Sequence, residues 1–178
     1  IAVFGVFSSG KSSVVNSLLG EKILSTGDVP VTAKLTEVSW GEVPAIRLVK
    51  ADGTVQVLGM DSLASVSDQR QLGDENELAS SVQIRYPAPF LKDVVLIDTP
   101  GLNSGFSLHD LTTQEVLGRA DVVLWVFNAT KFGADIESVR AQSVFGNVGK
   151  TVGLLNKVDA LRGYRRSPER WTRQLDEL

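Results

Sequence analysis

The segment Gly5-Val-Phe-Ser-Ser-Gly10-Lys11-Ser12 fits G-x-x-x-x-G-K-[ST], a spacing suited to holding phosphate. Its glycines let backbone wrap close to an oxyanion. The N–H groups from Ser8 and Ser9 through Gly10 to Ser13 would offer partial positive charge, and Lys11 adds a full one. Ser12 supplies a hydroxyl for Mg²⁺. Further along, Val94-Val-Leu-Ile-Asp98-Thr-Pro-Gly101 is an apolar run ending in a carboxylate. Asp98 there would hold the metal through water, and Gly101 would bring its N–H to a terminal phosphate with no side chain in the way. A third motif, Asn156-Lys157-Val158-Asp159, closes another apolar run. The Asp159 carboxylate can accept from guanine N1–H and from the exocyclic N2–H₂, whereas adenine presents no such donors on that edge. The second and third motifs are weak alone, but following the first in this order they make GTP and GDP, rather than ATP, the expected ligands.

These side chains need strands that end at one level and helices that start there. Five short apolar runs read as buried strands: Ile1–Phe7, Leu35–Trp40, Val94–Asp98, Val122–Phe127 and Val152–Asn156. Between them, Lys11–Leu19 carries an apolar stripe at Val14, Val15, Leu18 and Leu19, with Gly20 as a stop. His109–Arg119 and Ala134–Phe145 fill two further intervals as helices, and Ser167-Pro168-Glu169 opens a last one. This alternation predicts an α/β chain, a three-layer P-loop NTPase fold with a mainly parallel sheet and its ligand site at the carboxyl ends of the strands. An insert at about 41–92 extends that sheet. It contains a hairpin, Ala45–Val49 and Thr54–Leu58 around Asp52-Gly53, then polar and loosely helical sequence over Met60–Ser80, then an alternating strand at Val82–Tyr86. Trp40, Trp125 and Phe127 are expected in the core, and His109 and the Arg162, Arg165 and Arg166 group at the surface.

Composition excludes several other sources of chemistry. The 178 residues are 43% hydrophobic and 22% charged, an ordinary globular balance, with a net charge of −3 that singles out no nucleic-acid partner. There is no cysteine, so thiolate metal sites and cysteine nucleophiles are out of reach. No apolar run has the length of a spanning helix. The absence of a repeat or charge block predicts one domain over 1–178, and the abrupt start at Ile1 suggests a piece excised from a longer protein.

The motifs Phe7-Ser-Ser-Gly-Lys-Ser-Ser13, Pro30-Val-Thr32-Ala33, Asp98-Thr-Pro-Gly-Leu102 and Asn156-Lys-Val-Asp159 together resemble the dynamin superfamily of large GTPases, most of all its bacterial members. The resemblance implies a bacterial, Mg²⁺-dependent hydrolase converting GTP to GDP and phosphate. It implies that Thr32 binds the metal and orients the attacking water, and that Ser8 stabilises transition-state charge beside Lys11. It also implies a homodimer through the nucleotide face, a cytoplasmic location, and membrane remodelling through lipid-binding regions outside this chain; no nucleic acid is expected. Two departures accompany it. Phe7 stands where eukaryotic dynamins carry Gln, and Asn156 where they carry Thr.

Two other readings stay open on sequence. An Era-like ribosome- or RNA-associated GTPase shares two of the motifs, although the long interval between Thr32 and Asp98 and the absence of a basic face weigh against it. A scaffold that holds GTP without turning it over is the second. Leu102 occupies the place of the water-positioning Gln of Ras-like proteins, and Phe7 cannot hydrogen-bond water.

Overall fold

Period-two burial decides how this chain is laid out. Strand β1 (Ala2–Phe4) sends Ala2 and Phe4 to one face of the sheet and Val3 to the other, and all three are buried. The computed structural model describes residues 1–24, 35–50, 52–59, 79–101, 111–131 and 150–161. The remaining strands among them are β2 (Leu35–Trp40), β3 (Ala45–Lys50), β4 (Val55–Leu58), β5 (Ala79–Tyr86), β6 (Leu96–Asp98), β7 (Val123–Asn128) and β8 (Thr151–Asn156). They form one sheet in the order β4-β3-β5-β2-β6-β1-β7-β8.

The half containing β6, β1, β7 and β8 is parallel throughout, with Val3 opposite both Asp98 and Leu124. Strand β2 joins it antiparallel to β6 and pairs parallel with β5, and β3 then runs antiparallel to both β5 and β4. The sheet is therefore parallel where the motifs lie and mixed where the insert widens it.

Helix α1 (Lys11–Leu19) covers one face, packing Val14, Val15 and Leu19 against Val3, Val38, Ile46, Leu48, Val82, Ile84 and Leu96. Helix α2 (Leu111–Arg119) covers the other through Val116, over Ala2, Phe4, Ile97, Val123 and Trp125. The three layers follow from apolar residues alternating on strands and recurring at helical spacing on α1. An ion pair of 3.0 Å between Arg119 and Glu37 ties α2 to β2 at the surface, where such a pair adds little.

Several boundaries differ from the sequence expectation. The strand expected over Ile1–Phe7 ends at Phe4, because the next carbonyls, those of Gly5 and Val6, accept from Lys11 Nζ instead of entering a ladder. The strand expected over Val94–Asp98 begins at Leu96. Ala79 and Ser80, expected in the loosely helical segment, belong to β5. Trp125 is fully buried and stacks on Phe4, but Trp40 is 42% exposed: it is the last residue of β2, beyond the three β2 residues paired with β6. The helices expected at Ala134–Phe145 and after Ser167 lie outside the described residues, as do His109 and the three arginines.

Candidate functional site

The phosphate loop leaves β1 and re-enters regular structure at α1, whose N-cap is Gly10 at φ 95. That left-handed conformation favours glycine, and a glycine cap brings no side-chain oxygen to compete for the first amides of the helix. The helix also carries no acidic residue in its first turn, so its positive end is left uncompensated. Ser8 has φ 60 and is half-buried, while Ser13 is exposed on α1. Ser9 is fully buried; its N–H donates to Val6 O at 3.2 Å, and its hydroxyl has no hydrogen-bond partner among the described residues.

Lys11 is 6% exposed and folds back into the loop, donating from Nζ to Gly5 O at 3.2 Å and Val6 O at 3.1 Å. Burial pushes its pKa below the usual lysine value, opposed by the attraction of Asp98. The ammonium is held in place by carbonyls that a phosphate oxygen could replace.

Asp98 ends β6, fully buried and in register with Val3 on one side and Thr36 on the other. Its Oδ2 accepts from Ser12 Oγ at 2.7 Å, while Oδ1 has no hydrogen-bond partner among the described residues. Burial raises the carboxyl pKa to about 6, against the lowering effects of the Ser12 hydroxyl and of Lys11. A buried carboxylate oxygen without a donor, beside a hydroxyl, is a hard-oxygen donor set that fits Mg²⁺. No group of three or more His, Asp or Glu residues able to hold a metal occurs among the described residues.

Just beyond Asp98, Thr99 Oγ1 donates to Val3 O at 2.7 Å and fixes the strand end against β1. Gly101 passes so close to the phosphate loop that a β-carbon on it would lie 2.8 Å from Phe7 Cα. Only a residue without a side chain lets that backbone run beside the loop.

At the end of β8, Asn156 stands in register with Asn128 of β7, and its Nδ2 donates to Ser9 O at 2.9 Å. The motif expected to read the base is thereby joined to the loop expected to hold phosphate. Lys157 follows at φ 61, and Asp159 sits exposed in the 3-10 turn Val158–Ala160. The Asp159 carboxylate is thus open to solvent rather than buried among the described residues.

The fold brings Ser8, Ser9, Gly10, Lys11, Ser12, Ser13, Asp98, Gly101, Asn156, Lys157 and Asp159 to one end of the parallel half-sheet. Thr32 and Leu102 lie outside the described residues. Two residues with structural hydrogen bonds beside the site lie outside the sequence expectation: Thr99, which ties the end of β6 to β1, and Asn16 on α1, which binds the backbone of Ile23 and Leu24. The signal for Asn16 was available. An Asn within the apolar run of a helix, between Val15 and Leu18, has to satisfy its amide somewhere.

Among curated relatives, Dynamin-like protein 2 of Campylobacter jejuni is 35% identical over 162 residues, which are 90% of this chain and 26% of that protein. A probable transmembrane GTPase, FZO-like, of Arabidopsis thaliana is 29% identical over 170 residues, 95% of this chain and 16% of that protein. A solved structure of an oligomerised bacterial dynamin pair, described as a mechanism for long-range sensing and tethering of membranes, superposes with a TM-score of 0.69. It is 30% identical and covers 94% of this chain and 28% of that one. The chain spans less than half the length of the first curated relatives it matches. A family model described as the Dynamin family matches residues 1–158, from β1 through the phosphate loop and Asp98 into the Asn156 motif, and on that match the chain belongs to the dynamin family.

Proposed function

We propose that this chain is the GTP-binding and GTP-hydrolysing domain of a dynamin-like protein. The observation that carries the reading is the convergence of Lys11, the Ser12–Asp98 pair and Asn156 at one strand-end level, with Asn156 hydrogen-bonded to the phosphate loop. In this reading, Lys11 leaves the carbonyls of Gly5 and Val6 to neutralise the β- and γ-phosphates, and the amides from Ser8 to Ser13 surround them. Ser12, Thr32 and Asp98, the last through water, hold Mg²⁺, which when bound neutralises developing phosphate charge. Gly101 presents its N–H to the γ-phosphate, Ser8 stabilises transition-state charge and Thr32 orients water. Asn156, Lys157 and Asp159 take guanine. No covalent intermediate is required, because positioning and electrostatics carry phosphoryl transfer.

Leu102 replaces a water-positioning glutamine, so a lone copy has few groups to order the water. We infer that two copies pair through their nucleotide faces and that pairing favours the GTP or transition-state form over GDP. The solved relative described as an oligomerised membrane-tethering pair supports this reading and a role in membrane remodelling. No described helix is long and apolar enough to cross a membrane; in this reading lipid contact belongs to regions of the parent protein outside this chain.

The test is calorimetric titration of the full-length protein with GTP, GDP and ATP in Mg²⁺. Binding of both guanine nucleotides with ATP weaker by several orders of magnitude is expected; equal affinities would remove the guanine assignment.

A further inference from the structure

Asn128 ends β7 where Asn156 ends β8, and the two stand in register across the parallel pair. Asn128 is buried. Its Oδ1 accepts from the Thr130 N–H at 3.0 Å and from the Thr130 hydroxyl at 2.8 Å. Two donors on one carboxamide oxygen fold the chain back over the strand end, and the result is the 3-10 turn Ala129–Lys131. Ala129 is buried in that turn, whereas Thr130 and Lys131 are exposed. The turn lies against a second one, Val158–Ala160, which carries Asp159.

That second turn has little of its own to hold it. None of its three residues is buried. Its backbone bonds run from the Ala160 N–H to Lys157 O and from the Leu161 N–H to Val158 O, both at 3.1 Å. The chain enters it through Lys157 at φ 61, a left-handed conformation that a residue other than glycine keeps only where its surroundings hold it. Among the described elements its principal neighbour is the turn that Asn128 closes. An exposed carboxylate that must take two guanine donors at once depends on where its backbone is fixed, because any freedom left in the turn is lost on binding.

We propose that Asn128 is a positioning residue for base recognition: by closing the Ala129–Lys131 turn it supports the neighbouring turn that sets Asp159 against the guanine edge. The proposal rests on the GTPase reading given above. Inosine diphosphate isolates the effect, because hypoxanthine keeps the N1–H of guanine and lacks the exocyclic N2–H₂. A misplaced Asp159 loses the bond to N2–H₂, so the preference for GDP over inosine diphosphate falls. Damage to the phosphate loop would lower both affinities alike and leave that ratio unmoved.

The test titrates GDP, inosine diphosphate and ADP into the parental full-length protein and into Asn128→Ala, Thr130→Val and Thr130→Ser. Thr130→Val removes the hydroxyl donor to Asn128 and keeps the N–H, and Thr130→Ser restores the hydroxyl. Because Thr130 is exposed, its valine variant decides the matter if Asn128→Ala does not fold. The expected result is a GDP preference over inosine diphosphate lowered about tenfold in Asn128→Ala, as for one hydrogen bond to a charged acceptor, and about threefold in Thr130→Val. Thr130→Ser should return it to the parental value. A ratio unchanged in the variants, equal losses for both nucleotides, a serine variant no better than valine, or a parental ratio near one would overturn the proposal while leaving a preference for GDP over ADP in place. A parental protein that bound GDP and ADP alike would remove the guanine reading and the proposal with it.

Discussion

Gly10 and Asn156 interlock: a β-carbon on Gly10 would lie 2.2 Å from Asn156 Nδ2, the same nitrogen that donates to Ser9 O at 2.9 Å. The side chain expected at the base and the loop expected at the phosphates therefore share one contact, with no space between them. Gly10→Ala places a methyl group into that contact at a φ of 95, which L residues rarely adopt. The expected outcome is a loss of GDP affinity of roughly a hundredfold with the sheet intact, measured by titration and by circular dichroism. Unchanged affinity would show that the loop relaxes without Asn156.

The Asp98 carboxyl gives a pH signature. Its pKa in the fold, raised to about 6, lies above its ordinary value of 3.8, so its burial favours the fold fully below pH 4 and that contribution is lost as pH rises towards 6. The total is about 3 kcal/mol at most. Thermal midpoints of the nucleotide-free protein, measured with and without Asp98→Asn, should diverge over that window, with the variant more stable at pH 7. Parallel curves would contradict the burial argument. Mg²⁺ with GTP should reverse the order, because an ionised Asp98 is then needed.

Asp159 sits exposed at the rim, which makes it replaceable without disturbing the core. Asp159→Asn should weaken GTP by roughly a hundredfold or more and improve xanthosine triphosphate, whose 2-oxo group accepts from the new amide. Competition between the two nucleotides reads this directly, and a variant that keeps its preference for GTP would displace Asp159 from base recognition.

The parallel half of the sheet is readable from sequence because its strands are short apolar runs, two of them ending at the polar residues Asp98 and Asn156. Helix α1 matched its expected limits, with glycines at both ends serving as caps. What could not be read was pairing at a distance. Nothing local says that β2 lies antiparallel to β6 yet parallel to β5, because register depends on which faces find cover. Trp40 was expected in the core by residue type and lies at a strand end instead. The role of Thr99 has no sequence signature because its partner is a backbone carbonyl, whereas Asn16 carries one in the amide that an apolar helical run must satisfy.

Lys11 and Thr32 should separate binding from turnover. Lys11→Ala removes the charge that meets ground-state phosphate and should abolish measurable GTP binding. Thr32→Ala should leave GDP affinity within a few-fold and reduce hydrolysis by roughly a hundredfold or more. Turnover at the parental rate in the Thr32 variant would remove it from the mechanism.

If two copies pair through the nucleotide face, as proposed, the rate per molecule depends on concentration. Specific activity should rise with protein concentration, and sedimentation should give a dimer in GDP plus aluminium fluoride and a monomer in GDP. A flat rate with a monomer in both states would reject pairing.

The central claim, that this constellation hydrolyses GTP, is met most directly by steady-state phosphate release from the full-length protein in Mg²⁺, with GTP and ATP as parallel substrates and Lys11→Ala as the control. The account predicts continuous release from GTP, none above background from ATP, and none from the Lys11 variant with either. GTP bound tightly by the parental protein but never turned over, with or without liposomes, would contradict it and leave a nucleotide-holding scaffold in its place.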